Sequence, residues 1–368
     1  MFKKIFSLFL LFFLMVPIFA FADGGLIPPP NKRVFETNQK AVIFYDNKVE
    51  DLILSVSFRG DAEDFGWIVP TPEKPEVSKA SEEIFTSLDE ITRPKKEYMH
   101  PASGRFKDSN QKIEEEVRIV ETKKIEYYNI TVLQAGDSEV LADWLNENDY
   151  QFPIEGRYIL DNYIKNNWYF TAVKIDADAK NLVEDSLNNR FYSGHMVPLR
   201  LKFNSDKIVY PLKISSVMQY NKYKSVSSAP DRAPVSRRVP YYPNRVSILL
   251  YVFTSDHKQH LPGFNVQYAG WIKEDTIKKM AYDDNGESWL NPKRDKYFLT
   301  KMYRSMSYSQ MNHDLYLRNA SDNELVNAEP LEQKENQRDS MFWFWLLMAV
   351  SGFIIVVLSL SFIYFLKK

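Results

Sequence analysis

Three carboxylates in one short segment are the first residues with the chemistry for acid–base catalysis or cation binding. Asp61, Glu63 and Asp64 follow Gly60 and precede the aromatic, apolar run GWIVP. Neighbouring carboxylates in a partly dry site shift each other's pKa, so that one can act as acid and the other as base. Their spacing does not match a calcium loop, and no histidine stands beside them. The favoured interpretation is a polar turn between two strands, in which the acidic side chains stay in water.

Two imidazoles three positions apart, His257 and His260, are candidate metal ligands. Zinc sites use three or four ligands, and no third one is evident in a chain with five histidines. A surface loop after a strand that ends at Ser255 is the favoured interpretation. The sequence also has no Cys, no G-x-S-x-G elbow and no glycine-rich phosphate loop. We therefore expect no cofactor. These absences favour a protein that is not an enzyme, although they do not determine whether it catalyses a reaction.

A basic, tyrosine-rich segment spans residues 220–245. Its tyrosines alternate with lysines and arginines over a stretch that is also rich in Pro and Ser. Charge and stacking would let such a segment bind anionic lipid headgroups or wall polymers. The alternative is an exposed linker with a local excess of positive charge. The candidate binding residues are Tyr220, Tyr223, Arg237, Arg238, Tyr241 and Tyr242.

The first 22 residues have the pattern of a secretory signal peptide. Lys3 and Lys4 precede an apolar run, and Ala20 and Ala22 form a small-x-small cleavage pattern before Asp23. An uncleaved N-terminal anchor is the alternative. We expect export and removal of residues 1–22, and an exported location disfavours nucleic acid as a partner.

Residues 341–366 form an uncharged, apolar run that is long enough to cross a bilayer as a helix. Aromatic residues mark both of its ends, and Lys367 and Lys368 follow, which places the C-terminus in the cytoplasm by the positive-inside rule. A buried core helix is the alternative. We expect a single-pass protein of the cytoplasmic membrane, with its N-terminal domain outside and residues 367–368 inside.

The region between the two apolar ends has room for one large domain or two smaller ones. The predicted organisation is an exported domain whose first part is 23–219, the basic segment at 220–245, and a β-rich second part at 246–318. Residues 319–340 are acidic and predict a solvated stalk. Because the chain has no Cys, its core alone must hold it together, which is typical of bacterial surface proteins.

Hydrophobic periodicity gives the elements. Residues 40–58 predict a β-hairpin, GWIVP a third strand, residues 81–91 a helix, and Asp137 the cap of another helix. MVPLRLKF and KIVYPLKI predict two strands joined by Asn204-Ser205-Asp206, and YFLTKMY and HDLYLRN two further ones. The mixture lacks regular alternation of strand and helix. It predicts an α+β fold with mixed, mostly antiparallel sheets and a few short helices, plus the C-terminal transmembrane helix.

At several of these segments the chain resembles the bacterial family known as domain of unknown function 2330. The resemblance rests on GDAEDFGWIVPTPEKPEV with the preceding DLILSVSF, on YYNITVLQAGDSEVLADWLNENDYQFP with LDNYIKNNWYFTAVKI, on VPLRLKF with IVYPLKI, and on YFLTKMY with HDLYL. It covers most of Asp23 to about Asn319. Family members often carry Cys-Gly-Gly after the signal, where this chain has Asp23-Gly24-Gly25. The resemblance implies an exported, often anchored protein with a common fold, and it brings no established activity.

Together these observations predict a binding or protein-interaction module of the bacterial envelope. Its expected partners are the membrane, through one C-terminal helix, and an envelope protein or an anionic polymer. Two alternatives stay open. One is an envelope hydrolase that uses Asp61, Glu63 or Asp64, and the other is an accessory subunit of a membrane complex.

Overall fold

This computed structural model describes residues 25–29, 32, 34–60, 64–93, 118–175, 194–220, 245–282, 288–290, 292–330 and 346–347. In these residues, two larger, mostly antiparallel sheets and two short strand pairs make up the β-structure. The strands are β1 (Gly25–Ile27), β2 (Val34–Asp46), β3 (Val49–Gly60), β4 (Gly66–Thr71), β5 (Glu76–Lys79), β6 (Arg118–Ile125), β7 (Tyr128–Gln134), β8 (Tyr169–Ile175), β9 (Leu199–Asn204), β10 (Val209–Tyr210), β11 (Arg245–Thr254), β12 (Gln259–His260), β13 (Asn265–Lys273), β14 (Lys296–Ser307), β15 (Leu315–Tyr316) and β16 (Arg318–Asn319).

Between residues 25 and 330, the described ranges contain four short α-helices and three 3₁₀ segments besides the strands. The helices are α1 (Glu83–Thr92), α2 (Ser138–Glu147), α3 (Arg157–Ile164) and α4 (Glu274–Lys278), and the 3₁₀ segments are Ile154–Gly156, Lys213–Tyr220 and Tyr308–Gln310. The predicted α+β class with mostly antiparallel sheets and few short helices is confirmed.

The larger sheet has seven strands in the order β13-β14-β11-β2-β3-β9-β5. All of its pairings are antiparallel except that of β11 with β2. The predicted hairpin forms its centre, because Asp46 pairs with Val49 across a two-residue turn. Both turn residues, Asn47 and Lys48, have positive φ angles of 50° and 61°, as the tight hairpin turn that matches strand twist requires.

The smaller sheet has five antiparallel strands in the order β1-β4-β8-β7-β6. The predicted GWIVP strand is β4, one of its inner strands, and Trp67 on it is 1% exposed. Trp67 pairs with Leu26 on one side and with Val173 on the other. The aromatic run that follows the three carboxylates therefore builds the core.

Two apolar clusters lie on opposite faces of the seven-stranded sheet. The larger one joins that sheet to the five-stranded sheet and to the buried sides of α2 and α3, with Leu141 and Ile159 among its members. The smaller one joins the other face to α1 and α4, through Phe85 and Ile277. A strand alternates its side chains between two faces, so each central strand of this sheet supplies both clusters.

One predicted strand is wrong over most of its length. KIVYPLKI contains only the two-residue strand β10, and a 3₁₀ segment begins at Lys213. Pro211 has no N–H to donate to a ladder, and the N–H of Leu212 donates to the carbonyl of Tyr210 at 2.8 Å, which turns the chain. This turn brings Lys213 to the site described below.

The predicted acidic stalk begins on the surface of the domain. Asn319 pairs with Gln259, and Val326 and Ala269 exchange two backbone hydrogen bonds of 2.9 Å at the edge strand β13. Of the predicted membrane span 341–366, the structure describes only Leu346 and Leu347, which are helical and exposed. No helix within the described ranges is long and apolar enough to cross a membrane. The span at 341–366 and the domain limits stay predictions.

Candidate binding groove

Three neighbouring hollows on the surface form the candidate groove. Their cavity volumes are about 660, 390 and 410 Å³. Asn166 lines the first and the second hollow, and Lys207 and Tyr316 line the first and the third, so the hollows are neighbours on the surface. We call them the central hollow, the α3 hollow and the Tyr316 hollow. Their other lining residues include Lys48, Trp168, Asn204, Asp206, Tyr158, Asp161, Asn162, Lys165, Lys213 and Arg318.

Two tight turns form one rim of the central hollow. The β2–β3 turn carries Lys48, and the turn between β9 and β10 carries Asp206, whose carboxylate lies 2.7 Å from the Lys48 ammonium. The N–H of Ser205 donates to the carbonyl of Lys48, and the hydroxyl of Tyr45 donates to the carbonyl of Ser205, both at 2.9 Å. These two hydrogen bonds hold the two turns together and keep a charged, polar rim in place.

The opposite wall comes from the connection between α3 and β8. Asn167 has a positive φ of 57°, and the N–H of Trp168 donates to the carbonyl of Tyr163 at 3.1 Å, which ends the helix. The ring of Trp168 packs against that of Tyr163 at 5.1 Å and stays 7% exposed. The amide of Asn166 and the edge of Trp168 are therefore presented to the groove by a rigid turn.

Tyr316 is the most exposed aromatic residue of the groove apart from Tyr158. It lies on β15, which pairs with β10 so that Tyr316 is opposite Val209. Leu315 and Leu317 on either side are buried, which leaves Tyr316 47% exposed on the outer face. Partial burial of its hydroxyl, with a further contribution from the nearby Asp314, raises the pKa of Tyr316 to about 12, so the phenol stays protonated at neutral pH.

The α3 hollow is a polar cluster around Lys213. The Lys213 ammonium donates to the side-chain oxygen of Asn162 at 2.5 Å, and Lys213 is only 9% exposed. The carboxylate of Asp161 accepts a 2.6 Å hydrogen bond from Ser138 on α2. Burial lowers the pKa of Lys213, and the like charge of Lys165 acts in the same direction.

A buried carboxylate anchors this cluster from behind. One oxygen of Asp314 accepts hydrogen bonds from the Tyr163 hydroxyl at 2.7 Å and from the Lys213 N–H at 3.0 Å. Burial raises the pKa of Asp314 to about 6, although both hydrogen bonds favour its charged form. Because Asp314 is two residues from Tyr316, it connects the α3 hollow to the strand that carries Tyr316.

One residue predicted from the basic segment, Tyr220, contacts a residue that lines the groove. Tyr220 ends the 3₁₀ segment that begins at Lys213, and its hydroxyl lies 3.2 Å from that of Tyr158 in an edge-to-face pair. Burial, with this hydrogen bond as the next contribution, raises the pKa of Tyr158 to about 12. The other predicted binding residues, Tyr223, Arg237, Arg238, Tyr241 and Tyr242, lie outside the described residues.

The other predicted site residues do not line the groove. Asp61 and Glu63 lie outside the described residues, and Asp64 is exposed just before β4. The imidazole of His257 donates a 2.7 Å hydrogen bond to the carboxylate of Asp256, and His260 is exposed on β12. In the described part of the chain, no group of three or more His, Asp or Glu side chains is placed to hold a metal ion.

Sequence reasoning missed most of the groove. Lys48, Asn166 and Asp206 belong to ordinary polar turns, Lys213 belongs to a segment that predicts a strand, and only folding brings them together. The one usable signal was the alternation in HDLYLRN, where Tyr316 falls between two leucines and must point away from the face that buries them.

The fold and the groove define the class: an α+β domain of two sheets with a surface groove lined by tyrosine, amide and lysine side chains. The model of the bacterial family described as "Uncharacterized protein conserved in bacteria (DUF2330)" matches residues 17–229. Since this match covers more than half of the chain, the protein belongs to the DUF2330 family. The strands from β11 onward lie beyond the matched range.

The other comparisons add little. No curated protein matches the chain. A crystal structure of baculovirus P35 aligns at 13% identity with a TM-score of 0.33, over 82% of this chain and 98% of that one. A mutated baculovirus P35 after caspase cleavage, solved at 3.1 Å, aligns at 10% identity with a TM-score of 0.34, over 77% and 98% of the two chains. At these TM-scores the likeness carries no argument.

Proposed function

We propose that this protein is a binding module of the bacterial cell envelope, exported and held at the cytoplasmic membrane by its C-terminal apolar segment. Its groove holds an extended anionic polymer. The observation that carries the proposal is the row of three neighbouring hollows that share Asn166, Lys207 and Tyr316, which suits a chain-like ligand better than a compact one. The exposed tyrosines Tyr158 and Tyr316 offer flat surfaces against which the C–H faces of sugar rings pack.

The charges of the groove support an anionic ligand. Lys165, Lys207 and Arg318 lie along it in addition to the Lys48–Asp206 pair, and the acidic Glu73 and Asp161 are fewer. Charge complementarity steers a charged polymer to such a surface and makes its binding sensitive to salt. The basic segment 220–245 predicted from the sequence begins at Tyr220, beside Tyr158, and its binding of the anionic polymer is part of the proposal.

The test is a binding measurement with the full-length protein in detergent micelles. We would use three size-matched polymers: poly(glycerol phosphate), polygalacturonate and the neutral polymer dextran. Tyr316→Ala should weaken binding of the preferred polymer by about 1 kcal/mol, because it removes one stacking surface. Tyr282→Ala is the matched control, since Tyr282 is 41% exposed and lies outside the groove.

Two results would count against the proposal. If the wild-type protein binds none of the three polymers, the groove is not a polymer site, and the predicted envelope-protein partner becomes the first alternative. If the polymer is shortened during incubation and Asp64→Asn abolishes the cleavage, the hydrolase prediction gains instead.

A further inference from the structure

We infer that the α3 hollow is an anion subsite, in which Lys213 and Lys165 bind one phosphodiester or carboxylate group. The inference rests on the proposed function, because it assigns the charged group of the polymer to one end of the groove. The inference also predicts something that the proposed function does not: a small anion that carries the same charged group should bind in the α3 hollow by itself.

The ammonium of Lys213 is held in place before any ligand arrives. Its side chain donates to Asn162 at 2.5 Å, and its backbone N–H donates to Asp314 at 3.0 Å. An ammonium carries three N–H donors, so two remain after the bond to Asn162. Because the side chain is already ordered, binding an anion costs little further conformational entropy.

The charge balance of the hollow favours an anion. Lys213 and Lys165 both line it, against the single carboxylate of Asp161. One oxygen of that carboxylate is engaged by the Ser138 hydroxyl at 2.6 Å. Asp314 binds the backbone of Lys213 rather than its ammonium. Asp314 lies behind the hollow and not in its lining, although its charge also acts on Lys213. The lining itself therefore has one positive charge in excess next to a partly dry surface, where a charged hydrogen bond is stronger than in water.

The surroundings disfavour the charged form of Lys213 when the hollow holds no anion. Burial lowers the pKa of Lys213, and the charge of Lys165 lowers it further, while Asp314 and Asp161 raise it. Burial also lowers the pKa of the adjacent His313, and the charge of Lys213 adds to that shift. An anion between the two lysines would offset the repulsion and raise the pKa of Lys213. Anion binding should therefore be accompanied by proton uptake in alkaline solution.

The experiment titrates the full-length protein, in micelles, with dimethyl phosphate and separately with acetate. Lysine ¹³Cε labelling reports each ammonium, and the spectrum of Lys213→Gln assigns the Lys213 signal. We expect one of the two anions to shift that signal and to raise the pKa of Lys213. A response to dimethyl phosphate would identify the ligand group as a phosphodiester, and a response to acetate would identify it as a carboxylate. The small anions are added up to a concentration about 50-fold higher than the polymer concentration that saturates the protein. If neither anion shifts the Lys213 signal over that range, the subsite is disproved.

Polymer binding supplies the second measurement. Lys165→Gln and Lys213→Gln should each weaken binding of the anionic polymer about tenfold and reduce the salt dependence of that binding. Both variants should leave dextran binding unchanged. Lys278→Gln, an exposed lysine on α4, is the control. Lys165 is exposed, so its variant keeps the test valid if Lys213→Gln unfolds. Equal losses for dextran and the anionic polymers would overturn the subsite while leaving the groove proposal intact. If the wild-type protein binds none of the polymers, the groove proposal itself is refuted.

Discussion

The carboxylate of Asp314 and the backbone N–H of Lys213 form a 3.0 Å hydrogen bond between residues 101 positions apart in the sequence. The same carboxylate oxygen accepts the Tyr163 hydroxyl. Asp314 therefore joins α3, the 3₁₀ segment Lys213–Tyr220 and the start of β15, three elements that line the groove. The geometry of the groove depends on this residue more than on any one of its exposed side chains.

The first prediction concerns the pH dependence of stability. The pKa of Asp314 is about 6 in the folded protein against 3.8 for the free side chain, so the folded state binds the proton more tightly. Its contribution to stability is then complete below about pH 4 and is lost as the pH rises towards 6. Asp314→Asn keeps an oxygen that accepts both hydrogen bonds and removes the titration.

We expect Asp314→Asn to gain about 1 to 3 kcal/mol relative to wild type on going from pH 4 to pH 7. Urea unfolding at both values measures this difference. Asp64→Asn is the control, because Asp64 is exposed and should show no such change. A constant offset between Asp314→Asn and wild type at the two pH values would show that Asp314 does not titrate in this range.

A second prediction concerns the buried ion pair of Arg200 and Asp51. The guanidinium contacts one Asp51 oxygen at 2.5 and 2.6 Å and lies 4.6 Å from the ring centre of Trp289. Both partners are about nine-tenths buried, and burial raises the pKa of Asp51 even beside this cation. Arg200→Met should cost about 3 to 5 kcal/mol, because it leaves a buried carboxylate without its partner.

The double variant Asp51→Leu/Arg200→Met should recover most of that loss, since replacing both charges removes the need to hydrate them. Thermal unfolding of the three proteins gives the comparison. Lys278→Met breaks an exposed pair with Glu274 and should leave the unfolding midpoint unchanged. If the double variant is as unstable as Arg200→Met, packing rather than the unpaired charge accounts for the cost.

The third prediction concerns a close contact at Gly66, the first residue of β4. A Cβ on Gly66 would lie 2.2 Å from the ring of Tyr150, which is itself 3% exposed and stacked near Trp144 at 6.1 Å. Gly66→Ala should therefore displace the ring and cost about 1 to 3 kcal/mol. Gly136→Ala is the matched control, because nothing lies within 4 Å of its added carbon.

Both glycine variants are compared by urea unfolding, and the control should stay within about 0.5 kcal/mol of wild type. The double variant Gly66→Ala/Tyr150→Leu should be less impaired than the sum of its parts, because the smaller side chain makes room. Equal effects of the two glycine variants would point to backbone entropy instead of the clash.

The fourth prediction concerns the cap of α2. Asp137 accepts hydrogen bonds from the N–H groups of Glu139 at 2.7 Å and Val140 at 3.2 Å. Asp137→Ala should destabilise the protein by about 1 kcal/mol, because it leaves two helix donors to water. Glu147→Ala removes the same charge at the opposite end of α2, where a negative charge is unfavourable, and should be neutral or slightly stabilising. Thermal unfolding checks both signs, and equal losses would contradict the capping role.

The sequence was a good guide wherever local rules decide the structure. The hairpin of residues 40–58, the cap at Asp137 and the apolar run GWIVP around Trp67 each depend on neighbours within a few positions. Dihedral preferences and strand periodicity act over that range, so the hairpin, α2 and β4 follow from the sequence. The family membership was predicted from the same segments.

Sequence reasoning failed where pairing partners are distant. KIVYPLKI has a strand pattern, yet it forms β10 and a 3₁₀ segment, because β10 finds its partner in β15, more than 100 residues further on. The same pairing places Tyr316 beside Lys207 in the groove. No local preference specifies such a partner, since it is selected by the burial of the leucines that flank Tyr316.

The sequence by itself therefore determined the α+β class, the central hairpin, the helix cap and the family, all of which depend on short-range preferences and periodicity. Only the tertiary structure decided that Lys48, Asn166, Lys213 and Tyr316 line one groove and that Asp314 fastens it from behind. The physical reason is that a surface site consists of side chains which the core leaves outside. Which side chains those are depends on how the buried faces of distant strands pair.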